Sequence, residues 1–366
     1  MKKVLRSGYT TGACAAAAAR GAAQMLFCQE LVREVTIELP GGDSATFSLH
    51  GQNFTEDSAA CFVIKDAGDD PDVTNGAELH AEVRIVPFDS AQGTISIIGG
   101  TGIGKVTKPG LAVPPGEWAI NPVPRRMIKQ AVDGALSEFK IQNSSFQIVI
   151  SIPDGEQRAL KTLNARLGII GGLSILGTTG IVRPISAKAW TDTIDAALDV
   201  AKACGCENVV LSTGRTSELA AQQNLSSLPE EAYIMMGDHV AYALQACARR
   251  GFMRPVIACQ FAKLLKIACG HPNTHAAASE LDLAALHGWA EEAGISAKII
   301  EIITQANTAR EIAVSCAFDA ALMQLVAARA EQAAALHSPG ITAQPLLCGY
   351  DGTVVPLSSQ SIASAC

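Results

Sequence analysis

Charge and aromatic rings are both scarce in this 366-residue chain: charged residues make up 17% and aromatic residues 5%. With hydrophobic residues at 48%, low charge excludes a disordered or heavily solvated chain, because enough apolar surface exists to offset the entropy of ordering. No apolar run reaches the ~18 residues that a membrane helix needs, so no membrane partner is expected. None of the 11 cysteines forms a Cys-x-x-Cys pair, and Cys204 and Cys206, which flank one glycine, fit no zinc spacing. Buried, reduced thiols in a cytoplasmic protein are the expectation. The opening does not read as a leader either: after a basic tip come Gly8, Thr10, Thr11 and Gly12, then alanines, where a signal segment needs a stronger apolar block. Nucleic acid is disfavoured too. The net charge is −7, and no stretch interleaves aromatic and basic residues in the way that stacks bases.

Glycine is abundant at 32 residues, and it clusters. Clustered glycine suggests loops where the backbone approaches a ligand closely. At this length two domains are expected, because a domain holds roughly 100–200 residues. Residues 13–28 read as a helix, and 35–39 with 45–49 as a hairpin across Pro40-Gly41-Gly42-Asp43. Further strands are expected at 61–65, 80–86, 94–98 and 146–152, joined in part by two long Gly- and Pro-rich connections, 66–77 and 99–124. Long connections of that kind usually carry function. From 186 onward, helices at 186–203, 216–223, 238–250 and 260–268 alternate with strands at 208–211, 232–236 and 255–259, and helices at 279–293 and 308–336 follow. Alternation predicts a parallel sheet covered by helices. The expected fold class is therefore α/β and α+β: a mixed-sheet domain over 1–185, a Rossmann-like domain over 186–336, and a tail over 337–366 that forms a hairpin on one of them.

Gly99-Gly100-Thr101-Gly102-Ile103-Gly104-Lys105 satisfies the first seven positions of a phosphate-binding P-loop. The eighth position, which should give magnesium a hydroxyl, is Val106, and the prolines that follow allow no helix to start. A glycine turn presenting Lys105 to another anion fits better. Asp69-Asp70-Pro71-Asp72 lacks the glycine and glutamate of a calcium loop. It reads equally as a solvated turn or as carboxylates lining a site. His271 and His275 have metalloprotease spacing, but Pro272 replaces the glutamate, so no metal site is expected. Asn273, Thr274 and His275 lie where loops of a parallel sheet meet ligands, as do Thr213 and Gly214, between a strand and a helix.

Cations are concentrated. Residues 101–129 hold Lys105, Lys108, Arg125, Arg126 and Lys129 against Glu117 alone, and residues 157–188 hold Arg158, Lys161, Arg166, Arg183 and Lys188 with no acid. Guanidinium forks among glycine loops suit a small polyanion. Lys161 and Lys188 read as solvated surface.

Several of these segments resemble one family. The motifs are Gly8-Tyr9-Thr10-Thr11-Gly12, Ala67-Gly68-Asp69-Asp70-Pro71-Asp72, Gly102 through Leu111, Ala119 through Arg125, Thr162-Leu163-Asn164 through Pro184, and Lys263-Leu264 with Asn273-Thr274-His275. They are similar to the cobalt-precorrin-5B C1-methyltransferases of anaerobic cobalamin synthesis. The chain departs from that family at Ser212–Arg215 and Cys259–Ala262. The resemblance implies transfer of a methyl group from S-adenosylmethionine to carbon 1 of a cobalt-corrinoid, giving cobalt-precorrin-6A, with cobalt arriving inside the substrate. On that basis the acidic macrocycle is assigned to Thr10, Thr11, Lys105, Lys108, Asn121, Arg125, Arg126 and Arg183. The methyl donor is assigned to Thr178, Thr179, Thr213, Gly214, Asp238, Asn273 and Thr274, and a general base to Asp69, Asp70 or His275. A homodimer and transient hand-over of substrate between pathway neighbours are compatible with the sequence. So are two other classes: a nucleotide-dependent kinase or ligase using the 99–105 loop, and a non-catalytic tetrapyrrole carrier.

Overall fold

A computed structural model describes residues 5–86, 95–141 and 144–357. The chain divides into two compact units, Met1–Ser186 and Ala187–Cys366, each with its own apolar core.

In the first unit, strand β1 (Gly8–Tyr9) leads into helix α1 (Thr11–Cys28). Thr10 is extended, and its Oγ1 accepts the Ala13 N–H at 3.2 Å, capping the helix. Residues 13 to 19 of α1 are 0–1% exposed, so every face of the helix is buried. Only small side chains let neighbours close on a helix from all sides. At Gly21 even a Cβ would lie 2.3 Å from Leu49 Cδ1. Strands β2 (Glu34–Glu38) and β3 (Ser44–Ser48) form the expected hairpin, with Val35, Ile37, Ala45 and Phe47 facing the core. Strands β4 (His50–Phe54), β5 (Ser58–Ile64), β6 (Glu78–Val86) and β7 (Ile95–Gly99) follow, then the short β8 (Lys105–Val106), helix α2 (Pro122–Glu138), β9 (Ser145–Ser151) and α3 (Gly155–Ala159). The main sheet has the order β4-β5-β6-β9-β7, antiparallel except for the parallel pair β7–β9. Short strands β10 (Ile169–Ile170) and β11 (Ile181–Val182) pair back with β8 and β1.

The second unit runs α4 (Ala187–Ala203), β12 (Val210–Ser212), α5 (Arg215–Asn224), β13 (Tyr233–Met235), α6 (Val240–Arg250), β14 (Val256–Gln260) and α7 (Phe261–Ala268). Helices α8 (Leu283–Glu292), α9 (Ala297–Gln305), α10 (Ala309–Ser315) and α11 (Ala320–His337) precede β15 (Gln344–Cys348). The sheet is wholly parallel, in the order β13-β12-β14-β15. Alternating residues of β12 face opposite cores, Leu211 toward the larger and Val210 toward the one against α5. That two-sided burial explains the apolar, non-alternating strand sequences.

Several elements differ from expectation. The connection expected over 99–124 contains β8 and runs into α2, which has no counterpart in the sequence reading; nor have β4 and α9. The single helix expected over 308–336 is two, α10 and α11, broken at residues 316–319. The tail is also different: residues 344–348 are a parallel strand of the second sheet, and only a brief return, bridging Cys348 to Val354, is antiparallel. Residue 94 of the expected strand 94–98 and residues 358–366 of the tail lie outside the described residues.

Candidate functional site

Strand order in the second unit reverses between β12 and β14, and the crevice outside the carboxyl ends at such a reversal is where doubly wound sheets take ligands. After β12, Gly214 is the N-cap of α5, with open space where a Cβ would stand. Thr213 donates its N–H to Ala258 O across the sheet at 3.1 Å. Ser212 Oγ, fully buried at the strand end, has no hydrogen-bond partner among the described residues.

Beyond β13, Asp238 organises the edge. Its Oδ1 accepts the Thr274 hydroxyl at 2.6 Å and the Lys263 ammonium from α7. Lys263 also donates to Thr274 O at 3.0 Å, and Lys266 donates to the same carbonyl at 3.2 Å. Backbone closes the ring, Thr274 N–H donating to Asp238 O at 3.0 Å. Partial burial pushes the Asp238 carboxyl up, but the hydrogen bonds from Lys263 and Thr274 outweigh it and hold the carboxyl below its usual range. Asp238 is thus held as an ionised acceptor. No hydrogen bond among the described residues reaches its Oδ2, and the side chain keeps 25% exposure. Asn273 Oδ1 accepts the His275 N–H at 2.9 Å, and His275 Nδ1 accepts the Ala277 N–H at 3.1 Å, which shapes the loop and leaves the exposed imidazole its Nε2. The structure therefore gathers Thr213, Gly214, Asp238, Asn273, Thr274 and His275 at one sheet edge. Sequence reasoning omitted Lys263 and Lys266 from the site. Their spacing of three residues on α7, straight after a buried strand, was the available signal.

In the first unit, several expected ligand groups are engaged in building the fold. Thr10 caps α1, and Thr11 Oγ1 donates to Leu176 O at 3.2 Å and accepts from Leu176 N at 3.0 Å. Both threonines are buried, at 6% and 3% exposure. Arg125 donates to the carbonyls of Ile120, Ile97 and Trp118 at 3.0–3.4 Å and pairs with Glu117. Lys108 donates to Arg166 O at 3.3 Å, its stem lying on Gly168. All four are thus at least partly committed to bonds within the fold. Asp69 Oδ2 accepts Arg6 N–H and Asp70 Oδ1 accepts Ile185 N–H, each at 2.9 Å, so each acid ties down a separate chain segment. Asp72 accepts the buried Lys65 ammonium at 2.6 Å and both donors of Thr74.

Lys105, Arg126 and Arg183 remain exposed, as do Thr178 and Thr179. Lys105 Nζ sits 4.5 Å above the Trp118 ring. Asn121, the N-cap residue of α2, makes no side-chain cap bond, and its N–H donates to Ile175 O at 2.9 Å. That contact places Asn121 beside the 176–180 turn, of which Thr178 is part. Thr179 Oγ1 bonds locally to the Ile181 backbone.

The glycine run at 99–105 is no phosphate cradle. Gly102, at φ +71, would thrust a Cβ to 1.9 Å from Ile152 O, and a Cβ on Gly155 or Gly172 would meet Gly102 O at 2.2–2.3 Å. Three backbones touch there, so the glycines serve internal packing. Lys105 continues into a strand, and the next helix begins only at Pro122. No group of His, Cys, Asp and Glu among the described residues is arranged to hold a metal ion, and no helix there is long and apolar enough to cross a membrane.

A family profile described as CbiD matches residues 1–184, and one described as CbiD, C-terminal domain matches residues 273–359. A Pelobacter propionicus protein named cobalt-precorrin-5B C(1)-methyltransferase is 60% identical over 96% of this chain and 95% of its own length. Relatives of the same name from Geobacter sulfurreducens (59%, covering 96% of this chain and 98% of that protein) and Priestia megaterium (47%, covering 85% and 83%) also match. A crystal structure of a cobalamin biosynthesis protein (cbiD) from Archaeoglobus fulgidus is 29% identical, with a TM-score of 0.40 over 71% of this chain and 78% of that one. With its first half matched by the family profile and its relatives aligned nearly end to end, the chain belongs to the CbiD family.

Proposed function

We propose that the chain catalyses the reaction for which its relatives are named, methylation of carbon 1 of cobalt-precorrin-5B, with S-adenosylmethionine as donor and cobalt-precorrin-6A as product. One observation carries the reading: 60% identity to a relative of that name across 96% of the chain. The residues fit the donor. Asp238 keeps Oδ2 free to accept ribose hydroxyls, the acidic position at the end of the second strand in a doubly wound sheet, and the bare backbone at Gly214 leaves room for a ligand to lie close.

The donor brings an electrophilic methyl carbon. An electron-rich macrocycle carbon attacks it, a C–C bond forms as C–S breaks, and S-adenosylhomocysteine leaves. The protein's task is alignment, because holding both reactants at near-attack distance removes much of the entropic barrier. Lys105, Arg126 and Arg183 are assigned to the macrocycle's carboxylates, with Asn121 as a hydrogen-bonding neighbour. Lys263 and Thr274 orient Asp238. His275, on the loop that carries Thr274, is assigned to take a proton from the macrocycle.

Anaerobic incubation with cobalt-precorrin-5B and methyl-labelled donor tests the proposal. One labelled methyl per macrocycle is expected, with an equal amount of S-adenosylhomocysteine. Binding of the corrinoid without transfer would mark a carrier instead.

A further inference from the structure

Trp190 stands in the first turn of α4 with 46% of its surface exposed. Leaving a large ring half in water forgoes burial that would stabilise the fold, yet this ring is deliberately held. Its Nε1–H donates to Met236 O at 3.0 Å. Gly237 passes beneath it at φ +60, and a Cβ there would lie 2.8–3.0 Å from Cζ2, Cε2 and Nε1. His239, on the same loop, has its ring centroid 6.4 Å away. One edge of the indole is therefore pinned against the loop that leaves β13, while much of its surface stays open. That loop continues directly into Asp238, about 3.8 Å further along the backbone.

We propose that Trp190 is the wall on which the adenine of the methyl donor stacks while Asp238 holds the adjoining ribose. The inference rests on the donor-site reading above and adds a recognition element to it. The base is joined to the same ribose whose hydroxyls would meet Asp238 Oδ2, so a flat surface one residue from that carboxylate falls within the base's reach. Stacking also suits an indole whose N–H is already occupied, because a π-face needs no hydrogen bond to hold a base.

Titration of the full-length protein with S-adenosylhomocysteine, followed by intrinsic fluorescence and by calorimetry, tests this. Saturable quenching is expected in the unaltered protein and is expected to vanish in Trp190→Phe. Phe retains a stacking face, so the calorimetric Kd of Trp190→Phe should stay within about threefold, whereas Trp190→Ala should weaken binding about tenfold or more. Adenosine alone should reproduce the quench and methionine alone should not. Calorimetric binding with Trp190 emission unchanged, and with the Ala variant within threefold of the unaltered protein, would overturn the role of Trp190 and leave the donor site standing. Absence of any calorimetric binding to the unaltered protein would instead remove the donor-site reading beneath it.

Discussion

Replacing Asp72 with Asn isolates one charge in the first unit. Lys65 is among the largest fully buried side chains of the described residues; the side chain is 1% exposed, and its ammonium has its charge balanced by Asp72 at 2.6 Å. Asn keeps an oxygen for Thr74 N–H and Oγ1–H, which now bond to Asp72 Oδ1 at 2.7 and 2.6 Å, but it removes the counter-charge. Stranding a buried ion costs about 3–5 kcal/mol. Asp72 is 24% exposed, so water takes over part of the task, and about 3 kcal/mol is expected. For a unit of this size that lowers the midpoint by roughly 6–12 °C. Lys65→Met should cost less, below about 1.5 kcal/mol, because the remaining carboxylate is partly hydrated and keeps the Thr74 donors. The pH dependence has a fixed sign. Burial pushes the Asp72 carboxyl up, the bonds from Lys65 and Thr74 pull it down further, and the net folded value is lowered. The contribution is therefore fully present above about pH 4, where the unfolded carboxyl has ionised. It fades as pH falls through the folded value, where the difference between Asp72→Asn and the unaltered protein closes. Thermal and urea denaturation followed by circular dichroism reads both effects. A loss below about 0.5 kcal/mol in Asp72→Asn, or a larger loss in Lys65→Met, would refute this account of the pair.

Gly102→Ala should destabilise by about 2–5 kcal/mol in urea denaturation, because a left-handed backbone and a 1.9 Å clash with Ile152 O coincide there; an unchanged midpoint would contradict the packing role of the glycine run. Joint replacement of Arg126 and Arg183 by Ala should raise KM for the tetrapyrrole at least tenfold and that for the donor less than threefold, whereas equal effects in steady-state kinetics would detach these cations from substrate binding. Asp238→Asn should weaken S-adenosylhomocysteine about tenfold or more by calorimetry, since hydrogen bonds to a charged acceptor contribute about 1.5–3 kcal/mol. His275→Gln should lower kcat while leaving that Kd within twofold; a shifted Kd with normal kcat would remove it as the proton acceptor.

Periodicity made most of the fold legible. The α1 alanines, the hairpin at Pro40–Asp43 and the alternation of strands and helices from Asn208 to Ala268 each carried their own signal. Helix α2 was missed although Pro124, Met127, Ile128, Ala131, Val132 and Ala135 repeat at helical spacing. Its prolines stand in the first turn, where they are tolerated, but they read as loop punctuation. The Gln344–Cys348 strand was obscured by Pro345, which an edge strand accepts. At the site, residue types located the carboxyl edge of the second sheet but not the role of each group. Arg125 and Lys108 look in sequence like any other loop cations, and only the fold turns them toward backbone carbonyls. Trp190 was invisible because its partner is the Met236 carbonyl, 46 residues away, and a single tryptophan in a helical stretch carries no such information.

The position of the transferred methyl group is the most direct test of the central claim. Carbon-13 NMR of the macrocycle formed anaerobically from cobalt-precorrin-5B and carbon-13-methyl donor should show the label on carbon 1 and nowhere else. A label at another ring position, or one remaining entirely on the donor in the presence of bound corrinoid, would contradict it.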